Sequence, residues 1–300
     1  MIPLHLAIIL FGLAGIAGKM VSVPSTAVVF YRTVVATLAL ACVWRMTSGR
    51  QRIGGATLFR LLPSGALLGL HWLTFFLSVR ISTVAIGLLS FATFPVFVAF
   101  LGPLLSRRRM SARDVFMALV VFFGLALVVP TYSYQDHMFQ GVLWGLLSAV
   151  AFALVTCINR RVVGNTDPLV VGMLQNLWAA LVFLPLSGGV SSITGMDLAL
   201  IGFLGIGCSA IGHTLFVAAL RTVRAELAAL TSALEPLYGI VFAYLILGEV
   251  PNVRTTLGGL LIIVAVTFAS MVESLEKSPE EKNPQLSSRV EPTVSTARLS

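Results

Sequence analysis

Charge is what this chain has least of. Asp, Glu, Lys and Arg together make 11% of the residues, against about 25% in a soluble domain. Acidic residues are fewer still, 12 against 20 Lys and Arg. Cysteine is scarce too. Cys42, Cys157 and Cys208 lie in apolar runs with no CxxC spacing, which argues against a disulfide framework and for small core residues. The four histidines, His5, His71, His137 and His213, are scattered, with no HExxH and no nearby carboxylate cluster. That pattern gives no metal site. Gly12, Gly15 and Gly18 precede Lys19, but the phosphate-loop spacing is missing; the glycines read as a close-packing helix face. No specific Ser–His–Asp set can be assembled, so the sequence offers no enzyme chemistry and no cofactor site.

What fills the chain is apolar. Hydrophobic residues make 57% and the mean hydropathy is +0.96. The expected class is an all-α polytopic membrane protein, because long runs without period-two alternation exclude a β-barrel. Hydropathy predicts ten spans, at 4–21, 27–46, 60–79, 83–105, 113–130, 139–158, 168–187, 198–220, 225–247 and 254–272. Each suits a hydrocarbon core of roughly 30 Å. The first lacks a basic leader and a clear cleavage site, so it reads as a helix and not as a signal peptide. The basic excess, +8 net, points to cytoplasmic loops and not to nucleic acid.

With both termini in the cytoplasm, 16 of the 20 Lys and Arg fall inside. They include Arg45, Arg50, Arg52, Arg60, the Arg107–Arg109 run, Arg113, Arg160, Arg161, Arg221, Arg224 and the tail residues Lys277, Lys282, Arg289 and Arg298. Lys19, Arg32, Arg80 and Arg254 remain outside. Nine or eleven spans would scramble this split. The stretch between Arg45 and Arg60 reads as a short basic loop. Glu273 to Ser300 is rich in Ser, Pro, Glu and Lys and reads as a disordered cytoplasmic tail.

The chain also reads as one module used twice. Pro95 and Pro236 each sit inside a long apolar run, 141 residues apart. At that offset Arg80 meets Arg221, Leu89 meets Leu230, Ala92 meets Ala233, Leu104 meets Leu245 and Arg113 meets Arg254. The expected units are 1–134 and 135–272, with the tail 273–300. Five helices per unit make the halves face opposite ways, as inverted five-helix repeats. Such repeats place a site at their interface and give alternating access.

Candidate site residues follow from polarity at membrane depth. Glu235 is the carboxylate near the middle of a span. A charge there costs roughly 3 kcal/mol on insertion scales, so it needs a proton or a partner. It couples protons or binds a substrate amine; otherwise it makes a structural hydrogen bond beside the Pro236 kink. His71 and His213 are near-equivalents in the two halves, suited to a polar substrate, a proton relay or an interhelical hydrogen bond. Arg32 either snorkels to the headgroups or pairs with a carboxylate. Trp72, Phe75, Phe76, Phe91, Phe94, Trp144 and Tyr238 are candidates for an aromatic cavity, or ordinary packing surface. Gln175 and Asn176 are polar at depth, and one of them is expected to face the bundle as interhelical glue.

Several segments resemble the EamA domain of the drug/metabolite transporter superfamily. The stretch from Gly212 to Val250, GHTLFVAALRTVRAELAALTSALEPLYGIVFAYLILGEV, carries His213, the Arg221 helix end, Glu235-Pro236 and Gly248-Glu249. FYRTVVA, Phe30 to Ala36, resembles that family's Arg-containing second helix, and Gly145 to Val163 the start of its second domain. The likeness covers 4–272. One departure is Arg107-Arg108 where the second half has Gly248-Glu249. The resemblance implies a secondary transporter in the inner membrane, often an exporter of amino acids or related metabolites. A small-molecule substrate, the lipid bilayer and protons are the expected partners, with a monomer or homodimer as the assembly. An uncoupled facilitator, an uptake carrier for another solute, a channel and a lipid scramblase are the alternatives.

Overall fold

A computed structural model describes residues 2–47, 53–106, 112–128, 133–163, 166–188, 190, 192–223, 228 and 231–276. The described chain is helical, with no strand among the described residues. The helices are α1 (Ile2–Met20), α2 (Ser25–Thr47), α3 (Gly55–Arg60), α4 (Leu62–Ile81), α5 (Val84–Phe91), α6 (Phe94–Ser106) and α7 (Ala112–Val128). They continue with α8 (His137–Val162), α9 (Pro168–Phe183), α10 (Gly195–Gly202), α11 (Thr214–Ala219), α12 (Glu235–Leu247) and α13 (Val253–Glu276). Between α10 and α11 the backbone widens into π-helical turns over Phe203–His213.

Seven helical stretches among the described residues are long and apolar enough to cross a membrane: Ile2–Met20, Ser25–Thr47, Gly55–Ile81, Val84–Gly102, His137–Val162, Pro168–Leu186 and Gly195–Ala219. Ala118–Val128, Glu235–Leu247 and Val253–Ala265 are shorter apolar helices. Their outer faces carry large apolar side chains such as Leu38, Leu119, Phe123, Leu198, Val241 and Leu260, all exposed. Polar side chains such as Arg32, His71, Gln175, Asn176 and Glu235 are buried instead. That inside-out distribution suits a lipid solvent, where polar groups turn toward the bundle.

Local chemistry sets the helix ends. The Thr83 side chain accepts from Ile86 N at the start of α5, and Asp136 accepts from Met138 N and Phe139 N at the start of α8. Asp167 caps α9, and Thr194 with Asp197 forms a capping box on α10. Each satisfies amide donors that lipid could not. Two apolar runs are broken. The first breaks at Ala92–Thr93, just before Pro95, and the second at the 3-10 turn Ser232–Leu234, just before Pro236. Proline has no N–H and fits the first helical turn, so a new helix starts at Phe94 and at Glu235. These starts are 141 residues apart, the sequence offset.

Packing joins distant parts of the chain. α2 lies on α9, α7 on α13, α1 on α12, and α4, α5 and α6 lie on α8. Glycine sets the closest approaches, as membrane helices require. A Cβ at Gly12 would meet Gly239 N at 3.1 Å, and one at Gly18 would run into the Phe76 ring. The Gly12–Gly15–Gly18 face is therefore a packing face.

Four expectations change in detail. The basic stretch before Arg60 includes the short helix α3. The expected tail gives up Glu273 to Glu276 to α13, and residues 277–300, with Lys277, Lys282, Arg289 and Arg298, lie outside the described residues, as do Arg50, Arg52, Arg107, Arg108, Arg109, Arg224 and Leu230. Cys42 is exposed, while Cys157 and Cys208 are buried. Gln175 and Asn176 are both buried, where one was expected to face the bundle.

Candidate functional site

One small cavity, about 30 Å³, lies where α1, α2, α4, α5, α8, the π-helical stretch and α12 converge. Seven of the residues singled out from the sequence line it: Arg32, His71, Trp72, Phe75, Phe91, His213 and Glu235. Phe11, Ala14 and Phe152 complete the wall. Phe94 stands one layer back, its ring stacked on Phe91 at 5.1 Å and edge-on to Phe152 at 5.3 Å. Trp144 is half-buried on α8 and does not line the cavity. Tyr238 is half-buried on α12.

Glu235 sits at the first turn of α12 because Pro236 restarts the helix there. It is 2% exposed, and its Oε2 has no hydrogen-bond partner. The Ser232 carbonyl at the kink takes the Glu235 backbone N–H instead of its side chain.

Of the two readings open for Arg32, its burial excludes snorkelling. It is 2% exposed on α2. Its Nε donates to Ser209 Oγ at 2.9 Å, and its guanidinium lies 4.2 Å from the Trp72 ring centroid and 5.3 Å from Phe76. Snorkelling needs a free path to the headgroups. Here the hydroxyl and two aromatic faces hold the group inside, and a desolvated cation over Trp is worth roughly 2 kcal/mol. One terminal nitrogen, Nη1, is buried without a partner. Among the described residues no ion pair links Arg32 to Glu235.

The histidines are tied between helices. His71 Nδ1 lies 2.8 Å from Ser148 Oγ, and Ser148 Oγ donates to the His71 carbonyl at 3.1 Å. His213 Nε2 lies 2.9 Å from Gln175 Oε1. Gln175 Nε2 donates onward to Asn159 Oδ1 at 2.5 Å and Ser64 Oγ at 2.9 Å. Trp72 and His213 meet edge to face at 6.1 Å, and His71 lies 4.7 Å from Phe152.

Ser209, Phe11 and Phe152 were missed in the sequence. The 141-residue offset carries the signal for the two rings, because it lays Phe11 on Phe152, Phe75 on Phe216, Trp72 on His213 and Phe94 on Glu235. Phe216 packs against both Phe11 and Phe152, at 6.1 Å and 5.4 Å. Nothing in the sequence marks Ser209, since serine is common at helix interfaces.

The helix ends repeat the same logic. Arg80 donates to the carbonyls of Gly18, Val23 and Val21, closing the α1–α2 turn. Arg221 donates to the carbonyls of Val163 and Thr166 at the α8–α9 turn. Lys19 donates to the Ser82 carbonyl at 2.9 Å and pairs with Glu249 at 2.5 Å; its counterpart Arg160 donates to the Leu220 carbonyl.

An all-helical body with an apolar rim, a buried cluster of ionisable groups and no strand among the described residues defines a multi-pass membrane protein. The profile of the EamA-like transporter family matches residues 2–129 and 139–271, and the chain belongs to that family. It is a transporter, not an enzyme, and handles a small-molecule substrate in a membrane. It is similar to the uncharacterized transporter YxxF of Bacillus subtilis, 24% identical over 94% of this chain and 91% of that one. It is also similar to the pseudopaline exporter CntI of Pseudomonas aeruginosa, 25% identical over 81% of this chain and 85% of that one. A solved crystal structure shares the fold with a TM-score of 0.66 at 17% identity, covering 92% of this chain and 98% of the other.

Proposed function

We propose that the protein is a secondary-active exporter of small metabolites, amino acids or related compounds, working by alternating access with proton antiport. It spans the inner membrane ten times, with both termini cytoplasmic, as two inverted five-helix units, 1–134 and 135–272, followed by a tail. The observation that carries this reading is the cavity. Glu235 and Arg32 reach it, each with a buried polar atom lacking a protein partner. Unpaired ionisable groups at membrane depth mark substrate and ion pathways. Glu235 exchanges the coupling proton or receives a substrate amine; His71 and His213 flank it, Trp72 walls it, Phe94 backs it, and Trp144 belongs to the approach along α8.

Further support comes from symmetry. Broken helices recur at the 141-residue offset, and Arg80 and Arg221 close corresponding turns. The cavity is too small for a metabolite, since an engineered cavity of ~150 Å³ is what benzene fills. A carrier must therefore widen it to admit one. A relative named as an exporter favours the outward direction. Either a monomer or a homodimer fits a chain that carries both units.

The test is counterflow in proteoliposomes with a mixed pool of amino acids and related metabolites, wild type beside Glu235→Gln. Saturable exchange stimulated by a proton gradient is expected, with the stimulation lost in Glu235→Gln. Transport and its pH dependence surviving that substitution would refute the coupling role. Wild-type exchange indifferent to the gradient would favour an uncoupled facilitator. Flux far above about 10³ per second would indicate a channel, because μs–ms domain motions limit carriers.

A further inference from the structure

We infer that Arg32 is a carboxylate seat: the substrate carries a carboxylate that docks on the free edge of the Arg32 guanidinium, and Ser209 and Trp72 are the residues that aim it. The inference rests on the transporter reading and names the chemistry at one end of the substrate.

The geometry is that of a built site. A guanidinium is a flat fork with five donors, suited to two parallel hydrogen bonds to a carboxylate. Here one edge is fixed by the 2.9 Å bond from Nε to Ser209 Oγ, and one face is covered by Trp72 at 4.2 Å. Those two contacts set the plane of the fork. Nη1 is left buried and unpartnered, and the group lines the cavity beside His71, His213 and Glu235.

A buried cation without a counter-ion is costly, and a protein that needed Arg32 only for packing would supply a carboxylate. The nearest candidate, Glu235, lines the same cavity but makes no ion pair with it among the described residues. The neighbouring histidines offer no anion: His71 is engaged by Ser148 and His213 by Gln175. The missing partner is therefore a solute.

Ser209 is placed for this task by backbone form. It lies in the π-helical stretch Phe203–His213, and such widened turns are frequent at functional sites. Gly205, one turn earlier, allows close approach: a Cβ there would meet the Arg32 carbonyl at 2.9 Å and crowd Val35. Ser209 is a positioning residue; Arg32 touches the substrate.

The test uses the purified full-length protein and two readouts, thermal unfolding in detergent and competition in counterflow. The probes are neutral amino acids and matched 2-hydroxy acids, each beside its amide, and for the amino acids beside the amine left by removing the carboxylate. At least one free acid should raise the unfolding temperature and compete, while its amide and amine do neither. Ser209→Ala should raise the half-saturating concentration about tenfold, the value of one charge-assisted hydrogen bond, and leave the maximal exchange rate unchanged. Arg32→Lys should bind more weakly still, since it keeps the charge and loses the fork.

The inference fails if acids, amides and amines act alike, if no free acid stabilises the protein, if stabilisation follows ionic strength instead of the carboxylate, or if Arg32→Gln responds as wild type does. Counterflow that runs on amines alone would leave the transporter standing and remove the seat. Acids that bind without exchanging would keep the seat and refute the proposed export of amino acids and related metabolites.

Discussion

Gln175 shows how much a single polar residue holds in an apolar bundle. Its amide accepts from or donates to His213, Asn159 and Ser64. Interhelical hydrogen bonds in membranes average about 0.6 kcal/mol each, so Gln175→Leu should cost about 2 kcal/mol. It should also leave His213 and Asn159 unsatisfied. Denaturant unfolding in detergent checks the value, and a variant as stable as wild type would show that the chain of bonds is idle. Polarity at depth was legible in the sequence, so Glu235, His71, His213 and Gln175 stood out against the apolar runs. The partners were not. Ser209, Ser148 and Ser64 look like any interface serine, and which of them faces Arg32 or His71 depends on helix rotation. Arg32 stayed open between snorkelling and pairing because its distance from the helix end suggested an easy route to the headgroups, whereas Ser209, Trp72 and Phe76 fix it inside.

At the scale of elements, Gly248-Glu249 has a mechanical reading. Gly248 ends α12 at φ +67, a conformation that costs other L-residues about 1–2 kcal/mol. The turn brings Glu249 to the end of α1, where it pairs with Lys19 at 2.5 Å and accepts from Val84 N at 2.8 Å at the start of α5. A second tie lies between α10 and the α1–α2 turn, where Asp197 accepts from Ser22 N at 2.7 Å and Ser22 Oγ at 2.8 Å. These contacts latch one end of the bundle across distant parts of the chain. Gly248→Ala should destabilise by about 1 kcal/mol through backbone strain alone. A double-mutant cycle with Lys19→Met and Glu249→Gln should give a coupling up to about 1 kcal/mol, as for a partly exposed pair, and each single change should make thiols placed in the α1–α2 turn more reactive. Zero coupling would make the pair incidental. Both helix breaks fall at the prolines singled out in the sequence, where continuous spans were expected. The π-helical widening had no signal, because Gly205, Gly207 and Gly212 read equally well as helix-packing glycines.

At the scale of the molecule, the 141-residue offset tied corresponding residues of the chain together. It joined Arg80 to Arg221 and would have joined Phe11 to Phe152. The contacts between α2 and α9, and between α7 and α13, were out of reach, because hydropathy fixes where a helix runs and not which neighbour it chooses. A cavity of about 30 Å³ amid Arg32, Glu235 and the aromatic wall must widen to admit a solute, and on the proposed reading it does so first to one side and then to the other. Ala14, buried on α1 and lining the cavity, offers the direct probe. Replace Cys42, Cys157 and Cys208, introduce Ala14→Cys, and label oriented vesicles with an impermeant thiol reagent from each side in turn. Alternating access requires labelling from both sides, with an exchanged solute changing the two rates in opposite directions. Labelling confined to one side whatever solute is present, or rates from both sides that rise together, would contradict it.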